Sequence, residues 1–166
     1  LASAGTLRNQ VYSYHPDGLQ STDDPGMPLF ALDTPVIDLA VDALGQLWVM
    51  TGNELLQVDP ASGGILRRLQ PPGGEPLTHA LAVDPRNGEI YASTRTGIVV
   101  FDPAATDTAS AWRRFSKQAV GDLAFAPDGR LWAVRWTGGA IPGVAADANT
   151  EIVSFPLSGP GVGRAE

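Results

Sequence analysis

Cysteine is missing from this sequence, and histidine and methionine occur only twice each. The first absence excludes disulfides, though it leaves the compartment open. Basic residues are also scarce: 11 Lys and Arg stand against 18 Asp and Glu, for a net charge of -7. That balance argues against nucleic-acid partners, which demand a basic face. No apolar run approaches the length of a membrane-spanning helix, and no signal-peptide pattern opens the chain. No segment carries a sustained 3.6-residue apolar period, so helix is not expected. What is plentiful is glycine (19) and proline (14), placed between short apolar runs among 166 residues. Such punctuation suits many short strands joined by tight turns. An apolar share of 43% with 17% charged residues fits one globular domain with a real core. The first residue is Leu1 and not Met, so a processed or excised piece of a longer protein is expected.

The chain repeats itself. DLAVDALGQLWVMT at 38–51 returns as HALAVDPRNGEIYAST at 79–94 and as DLAFAPDGRLWAVR at 122–135. Leu39, Leu81 and Leu123 stand 42 residues apart, and Trp48, Tyr91 and Trp132 follow in step. Within each copy apolar and polar residues alternate with period two, which is the mark of a strand. The connectors ALG, PRNG and PDG supply the positive-φ positions that hairpin turns require. A third strand follows in ELLQVDP (54–60), GIVVFDP (97–103) and EIVSFPL (151–157), with an N-terminal echo in QVYSYHP (10–16). A fourth is expected in GILRRLQ (64–70) and SAWRRFS (110–116). Four antiparallel strands per roughly 42 residues describe the blade of a β-propeller. A β-sandwich, the rival, would not space its strands so evenly.

The run DLAVDALGQLWVMTGNELLQVDPASGG resembles the repeats of two-component-regulator propellers. It is also similar to blades of the virginiamycin B lyase family and, more distantly, to NHL and gluconolactonase-type propellers. The resemblance covers about residues 36–136, with echoes at 10–16 and 151–157, and implies the all-β propeller fold. The strand count gives three to four blades, read as part of a larger propeller or as an arc completed by another chain. One domain or arc over 1–166 is expected. It comprises a partial blade over 1–31, blades over 36–70, 79–116 and 120–157, the last without a clear outer strand, and a tail over 158–166.

Loops after the first and third strands of each blade are short. Those after the second and fourth carry the longer inserts, QPPGGEPLT (70–78) and TGGAIPGVAADANT (137–150). Elaborated loops on one end of a rigid scaffold are where binding usually resides. On that end the innermost strands begin, so Asp38, His79 and Asp122 are expected at the channel mouth, with Arg135 and Trp136 beside them. The alternative is that both aspartates satisfy backbone groups and His79 is an ordinary rim residue. Trp48, Tyr91 and Trp132 fit packing between blades better than a stacking platform, because their place is fixed in every repeat. The pairs Asp59-Pro60 and Asp102-Pro103 read as turn chemistry.

Catalytic signals are thin. Neither G-x-S-x-G nor H-E-x-x-H occurs. A virginiamycin-type lyase implies a metal with a histidine and a glutamate, and His79 alone could take such a part. A gluconolactonase-type enzyme implies Glu, Asn and Asp ligands, of which Asp38 and Asp122 are in place. No cofactor is expected; Ca or Mg has no support beyond DANTE at 147–151, a weak calcium candidate. The expectation is a non-catalytic interaction or assembly module of a larger bacterial protein, extracellular or in the cell envelope. Its partner would be another protein, the rest of its parent chain or a further copy of itself. A ligand-sensing propeller of a receptor comes second, and a metal-dependent lyase or lactonase third.

Overall fold

The computed structural model describes residues 9–12, 28–107, 110–136 and 150–157. Their regular structure is antiparallel strand, with one short 3-10 turn at Pro72–Gly74. A two-stranded sheet of β1 (Gln10–Val11) and β2 (Phe30–Ala31) comes first. A four-stranded sheet follows: β3 (Val36–Val41), β4 (Leu47–Thr51), β5 (Leu55–Val58) and β6 (Ile65–Leu69), paired in sequence order. The next is β7 (Leu77–Val83), β8 (Ile90–Thr94), β9 (Gly97–Phe101) and β10 (Trp112–Ser116), again in sequence order. Last come β11 (Val120–Phe125), β12 (Leu131–Trp136) and β13 (Thr150–Phe155), three strands among the described residues. These are the blades of a β-propeller.

The repeat seen in the sequence is a repeat of register. Leu39 pairs with Val49, Leu81 with Ala92 and Leu123 with Ala133. Turn chemistry explains why each hairpin closes where it does. Gly45, Gly88 and Gly129 hold φ at 77°, 75° and 82°, a region that costs a side chain energy and glycine little. Asp42 binds the turn N–H groups of Leu44 and Gln46, each at 2.9 Å. Asp59 and Asp102 do the same for Ala61 and Ala104 in the Asp-Pro turns, as Asx turns should.

Innermost strands stand side by side, β3 against β7 and β7 against β11. The core is therefore a set of interfaces between sheets, since each sheet must bury its apolar faces against a neighbour. Val11 and Leu32 pack on Val36, Val49 and Leu56 of the first full sheet. Trp48, Met50, Leu55 and Leu69 on the other face of that sheet meet Ile90 and Phe101 of the next. Tyr91, Ile98 and Val100 then meet Leu123, Leu131 and Ala133.

Aromatic packing between blades holds for two members of the triplet and not for the third. Trp48 is fully buried, its ring 6.1 Å from Phe101 in the next sheet. Tyr91 is 2% exposed and meets Phe125 edge-on at 5.2 Å. Trp132 is 39% exposed. Its side of β12 has no further sheet against it among the described residues.

One cation ties the second full sheet to the third. Arg86 grips Asp84 with Nε and Nη2, at 3.0 and 2.7 Å, and its Nη1 donates to the Leu157 carbonyl at 3.3 Å. Asp84 is buried, and the guanidinium holds its carboxyl below the usual range against the upward push of burial.

Candidate functional site

The innermost strand of a blade has no ladder partner on its channel side, so backbone N–H groups there need other acceptors. Asp38 supplies them. Its Oδ1 accepts from Leu39 N–H at 2.8 Å in its own strand, and Oδ2 from Leu81 N–H at 2.7 Å in the neighbouring blade. One carboxylate thus stitches two blades at their inner edge. Burial raises the Asp38 pKa most, the two backbone donors oppose that rise, and the charge of Asp122 adds to it. Asp122 repeats half of the pattern, with Oδ1 accepting from Leu123 N–H at 2.8 Å.

His79 does not complete a triplet with them. The residue before Leu81, in the place of Asp38 and Asp122, is Ala80. The ladder of β7 with β8 skips from Leu77 to Leu81, one residue more than the matching steps Val36 to Leu39 and Val120 to Leu123. The extra residue is taken up as a bulge. Ser93 fills the chemical vacancy: its Oγ accepts from the N–H of His79 at 2.9 Å and of Ala80 at 2.8 Å. The His79 side chain is exposed. Arg135 forms an ion pair with Glu151 across β12 and β13. Trp136 closes β12, with its backbone opposite Thr150; its side chain lies outside the described residues, as does most of the 137–150 insert and of DANTE.

The other insert, 70–78, is anchored. Glu75 binds the Thr96 hydroxyl and the Arg114 guanidinium, which together outweigh burial and bring its pKa down to about 2.

Among the described residues no group of three or more His, Asp or Glu side chains is placed to hold a metal. Asp38 accepts backbone N–H groups with both oxygens and Asp122 with Oδ1, and among the described residues no third His, Asp or Glu side chain joins them.

Sequence reading missed a second concavity. An open cleft of about 450 Å³ lies between the first and second full sheets at the short-loop end. Leu44, Trp48, Arg67, Arg86 and Pro103 help to line it. Arg67 lies 5.3 Å from the centre of the Phe101 ring, and the Trp48 indole N–H donates to Asp42 at 3.0 Å. No single repeat signals this cleft, because it is formed by the side of one copy and the turn of the next.

No family model and no curated protein sequence matches this chain. Solved structures do. Virginiamycin B lyase from Staphylococcus aureus superposes with a TM-score of 0.52 at 16% identity, over 77% of this chain and 43% of that one. The extracellular domain of a protein assigned to a hybrid two-component system of B. thetaiotaomicron gives 0.48 at 16% identity, over 60% of this chain and 14% of that one. This chain therefore spans less than half the length of either. Likeness at this identity is one of fold, the β-propeller.

Proposed function

We propose that this chain is a non-catalytic propeller module that mediates interaction or assembly within a larger bacterial protein, exported or displayed at the cell surface. One observation carries the reading: the last blade exposes Trp132 and Ile152 (39% and 73%), residue places that earlier blades bury against a neighbour. A face built to be covered is an interaction surface. The use of both Asp38 oxygens by backbone N–H groups points the same way. An extracellular or cell-envelope location rests on the Gly- and Pro-rich, acidic composition. The partner would be a protein, and the remainder of the parent chain is the first candidate.

The test is co-expression of tagged chain with the remaining segments of its parent. Co-elution is expected, and Ile152→Asp should abolish it. A ligand-sensing module is the second reading, favoured by the two carboxylates that share the channel mouth closely enough for Asp122 to raise the Asp38 pKa. Failure to co-elute, together with small-molecule binding lost in Asp122→Ala, would replace the first reading by the second.

A further inference from the structure

Two blade junctions can be compared turn by turn at the short-loop end. In the second, Arg86 crosses from its hairpin turn to the Leu157 carbonyl of the next blade, its guanidinium held by Asp84. In the first, the matching residue is Leu44. Each gives its backbone N–H to the aspartate two positions earlier, Arg86 to Asp84 and Leu44 to Asp42, at 2.9 Å. A leucine cannot make the bridge that Arg86 makes, and Leu44 is 86% exposed. The open cleft of about 450 Å³ between the first and second full sheets lies beside it.

A second exchange between the same blades changes the charge. Arg113 on β10 stands in the cross-strand row of Val100 and Tyr91, and its guanidinium makes a two-point pair with Glu89, both contacts at 2.7 Å. Arg67 on β6 stands in the matching row of Gln57 and Trp48. Glu89 precedes Tyr91 by two residues, and Gln46 precedes Trp48 by two, so an amide replaces the acid. That amide accepts from Gln57 Nε2 at 3.4 Å. Arg68 and Arg114, the other arginines of these outer strands, pair with Glu54 and Glu75. Of the four, Arg67 alone has no carboxylate partner among the described residues. It is half-buried, lies 5.3 Å from the centre of the Phe101 ring, and donates Nη1 to the Pro103 carbonyl at 3.4 Å. A guanidinium carries five N–H donors, so most of them are left for a ligand.

From these two exchanges we infer that the cleft binds a small carboxylic acid with an apolar body, its carboxylate on Arg67 and its body over Leu44, Pro85, Pro103 and Ala104. Two arginines and one aspartate line the cleft in a chain of net charge -7, so it is locally cationic. The aspartate is Asp42, which already accepts from the N–H groups of Leu44 and Gln46 and from the Trp48 indole. Arg86 is engaged by Asp84, which leaves Arg67 as the cation to meet a ligand. A planar carboxylate matches the guanidinium fork with two parallel hydrogen bonds, and the Phe101 ring beneath holds that fork in place. The volume falls within the roughly 300–1,000 Å³ of small-molecule sites. This site lies at the other end of the blades from the channel mouth and is independent of the assembly reading above.

Isothermal titration of the whole chain with 4-phenylbutyrate and with octanoate tests it, with 4-phenylbutyramide as the uncharged match. Both acids are expected to bind saturably, and the amide about tenfold or more weakly, the usual loss with a charge-assisted pair. Arg67→Gln should weaken both acids by a similar factor. Gln46→Glu should do so as well, because it gives Arg67 the acid that Arg113 already has. Circular dichroism should show both variants folded. Equal affinity for acid and amide overturns the inference, as does undiminished acid binding in either variant. Saturable binding of neither acid at millimolar concentration overturns it too. Hydrogen exchange that then shows the 42–46 turn covered by the parent's segments would give the cleft to those segments instead.

Discussion

Trp48 and Trp132 occupy one place in two blades, and their surroundings differ as much as any two in the molecule. Trp48 is closed over by Phe101 and Ile90 of the next sheet, and its indole N–H is held by Asp42. Trp132 keeps 39% of its surface open. The strand and the register are shared, and Ala126 stands in the place of Asp42, so the loss of burial comes from the neighbour and the loss of the indole's partner from the turn. In a repeat fold, burial belongs to the junction between units, and the same side chain is core in one copy and surface in another.

The sharpest test of that contrast is the pair of alanine variants. Trp48→Ala should cost about 3–5 kcal/mol in urea unfolding, the usual loss for a buried aromatic. Trp132→Ala should cost under about 1 kcal/mol in the monomer. Equal losses would mean that the last blade is already covered. The inner-edge carboxylates come next. Asp38→Ala orphans the N–H groups of Leu39 and Leu81, one of them in another blade, and should cost about 2–3 kcal/mol. Asp122→Ala orphans the Leu123 N–H and should cost about 1 kcal/mol. A reversed order in chemical denaturation would break the idea that Asp38 joins two blades.

The smallest effect separates two ion pairs. Glu75, mostly covered and bound by Thr96 and Arg114, should lose about 1 kcal/mol on change to Gln, while Glu151→Gln beside Arg135 should change stability little. The folded pKa of Glu75 lies below its unfolded value of 4.5, at about 2. Its contribution is therefore full above pH 4.5 and fades as pH falls toward 2. Thermal unfolding between those limits should show a steeper acid loss in the wild type than in Glu75→Gln. Parallel curves would remove Glu75 from the account.

Fold was legible in the sequence because the repeat is written in strands and turns alike. Leu39, Leu81 and Leu123 recur on the period, and glycines mark the same hairpin in each blade. Both signals are local, so pattern alone could read them. The channel mouth was harder. Grouping His79 with Asp38 and Asp122 overlooked the additional residue between Leu77 and Leu81 compared with the other blades, which puts Ala80 in the aspartate place and brings in Ser93 from the adjacent strand. The exposure of Trp132 was equally hidden, since a period gives a residue's place and not whether a neighbour follows. The cleft beside Arg67 needs two blades at once, and no window along the chain contains it.

Arg86 carries one last consequence, for how this sequence can change over time. A Cβ on Gly129 would come within 2.7 Å of the Arg86 Nη1, in addition to the demand of its positive φ. Gly45, at the same turn in the first blade, would meet nothing within 4 Å. Asparagine, which tolerates this backbone region, is thus an open substitution at position 45. At position 129 the same change also requires the Arg86 guanidinium to shift from its place beside Asp84 and the Leu157 carbonyl. Two codons 43 apart are thereby coupled, and change at position 129 should be accepted more readily in lineages that lack Arg86, while Gly45 drifts by itself.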